Sequence, residues 1–413
     1  MSALLFCRVA AAEDWSLAQA VQRGIQVQAS LQSAQALARS AADTAQASQA
    51  DRLPQLSLRA GSIWTESRNG QPVFAAANGQ REVIGQAVLT APLYAPQLSA
   101  LAKLAKDQSA IAKSQTQSVR LQVATTLSNA WYAVLLAQNT SALWQRVLAQ
   151  DRLLYHDTRD QFRSGATARL NLVQTQLLLL QARSASAQAQ EALGSVRRNL
   201  RLQLQLPAGS PVQLAPISTL PAAPAPLPQL WQEASQRQPL LQVAQAQLHA
   251  ARAQVAVQRA SLAPNIDVQA AYGLDSTQVP RPQSLGWQAG ITLNLPLFGF
   301  GRRHDRIAAA QEQLAALRSA RRALLLQIQT RINTDYGVYQ QESTRLQQDR
   351  HSLAAARAVY HMTRAGFRAG ALNALNLAQA DQAWVQARLA LIRAQIRAQM
   401  AATQLALDVG KLP

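Results

Sequence analysis

Tyr155-His156-Asp157-Thr158-Arg159-Asp160-Gln161-Phe162-Arg163-Ser164-Gly165-Ala166, followed by Leu170-Asn171-Leu172, comes back about 205 residues later. The second copy reads Tyr360-His361-Met362-Thr363-Arg364-Ala365-Gly366-Phe367-Arg368-Ala369-Gly370-Ala371, followed by Leu375-Asn376-Leu377. A match this long at a fixed offset marks an internal duplication. Each copy interrupts a long helical pattern at a glycine, Gly165 or Gly370. Glycine accepts the positive φ that follows the last helical turn, so the chain reverses there at little cost. The chain therefore reads as two related units, each folding back on itself at its glycine.

Upstream of the first copy, Gln97 to Phe162 contains neither proline nor glycine. At 1.5 Å per residue such a helix is a rod on the order of 100 Å, several times the usual globular length. The return helix runs from about Ala168 to Leu206. The second rod runs from Asp305 to about Phe367, with Ile307, Ala310, Leu314, Leu317, Leu324 and Ile328 at three- and four-residue spacings. Its return helix follows Gly370 and runs to about Val409. This is coiled-coil or bundle patterning.

Before each rod lies a different period. Helical patterning from Trp15 to about Asp51 stops at Pro54, and that from Leu230 to Leu262 stops at Pro264. Beyond Pro54, Leu56, Leu58 and Ala60 alternate with Ser57, Arg59 and Gly61. A polar tip spans 66–80, and Val83 to Leu93 reads as a partner strand. Beyond Pro264, Ile266, Val268, Ala270 and Tyr272 alternate with Asn265, Asp267 and Gln269. After a polar turn at 275–284, Trp287, Ala289, Ile291, Leu293 and Leu295 alternate with Gln288, Gly290, Thr292 and Asn294. A strand with one apolar and one polar face has this period of two. About ten residues is also the length of a tilted strand that crosses a bilayer. A hairpin packed on a soluble helix bundle would show the same alternation.

The domain plan is a segment 1–12, a first repeat 13–206, a Pro-rich linker 207–228 and a second repeat 229–413. The hairpins fall at 53–93 and 264–296, and the helix pairs turn at 162–167 and 367–372. Segment 1–12 ends in Ala10-Ala11-Ala12 before Glu13-Asp14, like the end of a secretory signal peptide. Cys7 is the single cysteine, so no disulfide forms within the chain. No run of 18 apolar residues exists, so no transmembrane helix is expected. The formal charge of +19 raises nucleic acid as a partner. The arginines, however, are spread along the helices among glutamines, without a basic block interleaved with aromatics, and nucleic acid is not expected.

Four strands cannot close a barrel, and open edges are not tolerated in hydrocarbon. If these strands span a membrane, copies of the chain must share one wall. The strand count alone does not choose three copies over two or four.

In this order of elements the chain resembles the TolC family of outer-membrane channel-tunnels, from Trp15 to Leu412. The resemblance rests on the duplicated plan, on Phe162-Arg163-Ser164-Gly165 and Phe367-Arg368-Ala369-Gly370, on Leu295-Pro296-Leu297-Phe298, and on Trp131-Tyr132 with its counterpart Tyr336. It implies a mainly α fold with β. In this fold, a long α-helical coiled-coil tunnel continues a trimeric, twelve-stranded transmembrane β-barrel to which each chain gives four strands. It also implies a homotrimer in the cell outer membrane, with its tunnel in the periplasm. The partners it implies are outer-membrane lipid, a periplasmic adaptor (membrane fusion) protein and an inner-membrane pump of RND or ABC type. The adaptor would dock at Phe162, Arg163, Gly165, Phe367, Arg368 and Gly370. The gate would be lined by Asn171, Gln174, Asn376 and Gln379, amides at positions where the family often carries aspartates. Arg159, Arg163, Arg169, Arg364 and Arg368 crowd the same end.

No converging acid, base and nucleophile set appears, so no enzyme, catalytic residue, cofactor or metal site is expected. His156 and His361 are equivalent in the two copies. They read either as a pH-sensitive latch or as surface residues inherited by duplication. Gly299-Phe300-Gly301 lacks the context of a phosphate loop and reads as a strand-to-helix turn, with Arg302 and Arg303 just beyond it. The expected function is the outer-membrane exit duct of a tripartite efflux system for small molecules, drugs or metal ions. The alternatives are the outlet of a type I protein secretion system and, more remotely, a soluble coiled-coil scaffold.

Overall fold

The structure is a computed structural model that describes residues 15–69, 71–73, 81–214, 223–276 and 285–413. The signal-like segment 1–12 and parts of the two hairpin tips and of the linker lie outside the described residues. Among the described residues the elements are, in order, α1 (Leu17–Val27), α2 (Ala29–Ala50), β1 (Gln55–Trp64), β2 (Ser67–Arg68), β3 (Gln71–Pro72), β4 (Arg81–Tyr94), α3 (Pro96–Arg163), α4 (Arg169–Gln203), α5 (Leu227–Arg237), α6 (Pro239–Ala260), β5 (Asn265–Ser276), β6 (Gly286–Asn294), α7 (Arg302–Arg368) and α8 (Ala374–Asp408).

The two rods, α3 and α7, are 68 and 67 residues long. Nothing inside α3 breaks it, and Pro96 sits at its first position, where a missing N–H costs nothing.

Three sequence expectations need correction. The helix expected from Trp15 to Asp51 is two helices, broken at Gln28, whose backbone is extended at ψ 120°. The helix expected from Leu230 to Leu262 is likewise two, broken at Gln238 with ψ 117°. In the second copy Pro239 drives the residue before it out of the helical region. In both copies the glutamine side chain holds the break. Gln28 Nε2 donates to the Gln203 carbonyl at 2.8 Å, and Gln238 Nε2 donates to the Asp408 carbonyl at 2.7 Å. The turn expected at 275–284 also begins later, because Asp275 and Ser276 still belong to β5.

The chain divides into two compact units. One comprises the described residues of Met1–Ser33, Gln117–Leu241 and Leu324–Pro413. Its largest core gathers Ala20, Val21, Leu127, Trp131, Leu135, Leu200, Leu214 and Leu389, all buried. The polar tips of the aromatic pair are satisfied. Trp131 Nε1 donates to the Trp15 carbonyl at 3.2 Å, and the Tyr132 hydroxyl pairs with Thr403 Oγ1 at 2.7 Å.

The other unit comprises Ala34–Thr116 and Gln242–Ala323 and carries the four-stranded sheet, in the order β1-β4-β5-β6, every neighbour antiparallel. The register sorts the side chains. Leu56 faces Leu89, Leu89 faces Ala270, and Ala270 faces Ala289. One step along, Leu58, Ala87, Tyr272 and Trp287 are aligned. On the alternate positions, which face the other way, Arg59 pairs with Gln86, Thr90 with Gln269, and Asp267 with Thr292. The polar face encloses a cavity of about 280 Å³ lined by Arg59, Gln86, Thr90, Gln269, Gln288 and Thr292 among others. The apolar face is open. Leu58 is 81% exposed, Trp287 80% and Ile291 72%. Among the described residues β1 and β6 each have one strand neighbour, so the sheet has two free edges. No helix of the described residues is long and apolar enough to cross a membrane.

Candidate functional site

Both rods end on the same backbone device. The N–H of Gly165 bonds the Phe162 carbonyl at 3.1 Å and that of Ala166 bonds the Gln161 carbonyl at 2.8 Å. In the second copy Gly370 bonds Phe367 at 3.1 Å and Ala371 bonds Gly366 at 2.9 Å. This six-to-one, five-to-two pair is the Schellman ending, and it needs a left-handed residue at its pivot. Gly165 supplies φ 77° and Gly370 φ 74°.

The side chains around the two turns are not equivalent. Phe367 is buried in a cluster with Tyr360, Ala374 and Leu377, against which Leu154 and Trp384 pack. Phe162 is exposed. Arg163 is exposed and shares Asp160 with Arg159, at 3.9 and 3.6 Å. Arg368, His156 and His361 are exposed as well. Of the residues named above for docking, five therefore lie open at the turns and one, Phe367, lies inside.

The four amides named for the gate take three positions. Asn171 is a tie between the copies. Its Oδ1 accepts from the Ala374 N–H at 3.1 Å, the first residue of α8, while its Nδ2 donates to Thr167 Oγ1 at 2.9 Å. Asn376 is exposed, and its N–H is capped by Asn373 Oδ1 at 2.9 Å. Gln174 and Gln379 come together on one cavity of about 580 Å³ between α3, α4 and α8. Leu177, Leu178, Leu375, Gln181, Gln382 and Gln386 also line it, with Trp144 and Val147 behind.

Two carboxylates on this cavity escaped the sequence reading, Asp151 and Asp381, at 3% and 6% exposure. Burial pushes Asp151 up to about 7, helped by the charge of Asp381 and opposed by Arg364. Burial pushes Asp381 up to about 6, again opposed by Arg364. Asp381 Oδ1 has no hydrogen-bond partner among the described residues. Around them Tyr360 stacks on Trp384 with ring centroids 5.4 Å apart and accepts a hydrogen bond from Gln150 Nε2. Groups from α3 (Gln150, Asp151), α7 (Tyr360, Arg364) and α8 (Asp381, Trp384) thus form one buried polar knot beside the amide-lined cavity. The signal was present: Leu377, Asp381 and Val385 are four apart, which places an acid on the apolar stripe of α8. The same holds for Val147 and Asp151 on α3.

The groups of this arrangement are amides, two buried acids within the field of Arg364 and an aromatic stack, with no nucleophile beside a base among them. The Gln150–Tyr360 hydrogen bond joins α3 to α7, and the Tyr360–Trp384 stack joins α7 to α8.

A sequence model described as outer membrane efflux protein matches residues 20–204 and 230–411. Solved structures share the fold. CusC is 18% identical with TM-score 0.83, over 96% of this chain and 92% of that one. VceC from Vibrio cholerae is 16% identical with TM-score 0.80, over 96% of each chain. The open-state MtrE channel of Neisseria gonorrhoeae is 17% identical with TM-score 0.79, over 96% and 89%. Protein CyaE of Bordetella pertussis is 36% identical over 171 residues, 39% of this chain. That match spans 36% of CyaE, about a third of its length.

Proposed function

The chain belongs to the outer membrane efflux protein family and is an outer-membrane channel rather than an enzyme. From that premise we propose that it works as a homotrimeric exit duct of a tripartite efflux system, passing small molecules delivered by an inner-membrane pump through a periplasmic adaptor. The observation that supports this best is the sheet: four strands, an open apolar face and two free edges. In lipid each unsatisfied edge group costs several kcal/mol, so β1 of one copy pairs with β6 of the next. Closing the wall with three copies gives twelve strands and a wet lumen.

The gate lies at the turn ends of the helix pairs. In the resting state Asn171 ties the first copy to the start of α8, and the acid knot ties α3 to α7 and α8. Docking of the adaptor on the open residues Phe162, Arg163, Gly165, Arg368 and Gly370 spreads the pairs about the two glycines. The constriction lined by Asn171, Gln174, Asn376 and Gln379 then widens. Phe367, being buried, serves the packing of the second hairpin and reaches the adaptor only through it.

Cross-linking tests this. Cysteines at Gln174 and Gln379, joined by a reducible cross-linker, lock α4 to α8 across the cavity. Export by the assembled channel is expected to fall to background and to return on reduction, with the trimer unchanged. Full export by the cross-linked trimer would end the gate reading. The pump that co-purifies with the assembled channel names the cargo class. A protein-secretion ATPase there would replace small molecules by a polypeptide.

A further inference from the structure

The two copies differ where strand gives way to rod. In the first, β4 ends at Tyr94 and α3 begins at Pro96. The first cations of that helix are Lys103 and Lys106. In the second, β6 ends at Asn294 and α7 begins only at Arg302. The intervening Leu295-Pro296-Leu297-Phe298-Gly299-Phe300-Gly301 is followed at once by Arg302, Arg303 and Arg306. Leu297, Phe298 and Phe300 are 86%, 77% and 90% exposed, the two rings meeting edge to face at 4.7 Å. Phe300 holds φ 47°, a left-handed backbone that a bulky residue adopts only when its surroundings impose it. Arg303 Nη1 donates to the Pro296 carbonyl at 2.9 Å and so fastens the first turn of the helix to the loop. Arg302 and Arg306 are exposed. The nearby acid, Asp305, lies 3.5 Å from His304 Nδ1.

We propose that this strap is a docking site for anionic phospholipid: Leu297, Phe298 and Phe300 enter the acyl boundary, and Arg302, Arg303 and Arg306 hold lipid phosphates at the helical end of the sheet. Two observations select this occupant. The strap continues the open apolar face of β6, from Trp287 through Ile291 and Leu293, the face that the channel reading turns to lipid. Three arginines directly beyond an apolar wedge match a phosphate layer above acyl chains, each cation near such a surface contributing about 1 kcal/mol. Another copy of a chain carrying +19 is a poor counter-charge for them. The inference rests on the sheet lying in lipid, as the channel reading has it.

The experiment uses the full-length Phe300→Trp variant in phosphatidylcholine vesicles. Either the phosphatidylcholine or an added minority of phosphatidylglycerol carries brominated chains that quench indole fluorescence. The parent reports the premise, since Trp64 and Trp287 lie on the apolar face and should be quenched by both lipids. The indole at position 300 is expected to be quenched by brominated phosphatidylglycerol far beyond its share of the vesicle. The combined Arg302→Gln, Arg303→Gln and Arg306→Gln change should weaken that preference about tenfold. Soluble glycerol phosphate should not compete. No quenching at position 300 in a protein whose parent is quenched would show the strap covered by protein or water and would overturn the proposal. Equal quenching by both lipids, indifferent to the arginine changes, would reduce the strap to an apolar contact and overturn it as well. An unquenched parent would remove the membrane premise itself.

Discussion

Replacing Ile291 by arginine is expected to remove the assembled channel from the outer-membrane fraction, while the same change one residue on, at Thr292, leaves it there. The two positions are neighbours on β6, but a strand alternates faces at every residue. Ile291 stands opposite Val268 on the open apolar face, and Thr292 stands opposite Asp267 on the face that encloses the polar cavity. An arginine near the bilayer midplane on the lipid face costs about 2–4 kcal/mol, and in a trimer that cost is incurred three times. On the lumen side the guanidinium stays in water. Quantifying assembled protein in outer-membrane fractions checks both. If the two variants assemble equally well, the apolar face does not meet lipid.

Arg364→Met is expected to loosen the second hairpin tip at alkaline pH and to leave it nearly intact at acidic pH. In the parent, burial raises Asp151 to about 7 and Asp381 to about 6, and Arg364 offsets part of that rise. A raised carboxylate stays protonated in the packed state at a pH where it has already ionised in the open one. Its contribution to packing is therefore greatest at low pH, falls as pH climbs toward 7, and is flat above. Without Arg364 the charged forms have no compensation. Leaving buried charged carboxylates uncompensated costs on the order of a few kcal/mol, and little while they are neutral. Closed-channel leak conductance in planar bilayers should rise at least about tenfold at pH 8 and match the parent at pH 5. Adding Asp151→Asn and Asp381→Asn should cancel the alkaline defect, since amides in those places ask for no counter-charge. A leak that is the same at both pH values would mean that Arg364 acts through packing of its stem alone.

What could be read from the residues before the structure follows from the range of the interactions involved. The alternation of Trp287, Ala289, Ile291 and Leu293 with Gln288, Gly290, Thr292 and Asn294 is local, and it carried the strand, its two faces and the need for neighbouring copies. The reversals at Gly165 and Gly370 were legible for the same reason, since a positive φ is a property of one residue. The breaks at Gln28 and Gln238 were not, because each is held by a carbonyl far away in sequence, on Gln203 or Asp408. Pro239 was a signal for the second break. At the tip, alignment of the copies drew attention to Asn171, Gln174, Asn376 and Gln379. The acids that matter there, Asp151 and Asp381, have no acidic counterpart in the other copy. Comparing repeats hides such residues, whereas asking which charged side chains fall on an apolar stripe reveals them. The same asymmetry buries Phe367 and exposes Phe162, although the two motifs are nearly identical in sequence.

The mass of the protein purified in mild detergent from the outer membrane, corrected for bound detergent, tests the account most directly. Three chains per particle, with β1 of one copy cross-linking to β6 of the next, is the predicted result. A stable single chain in the same membrane, its four strands sealed without help from another copy, would contradict it.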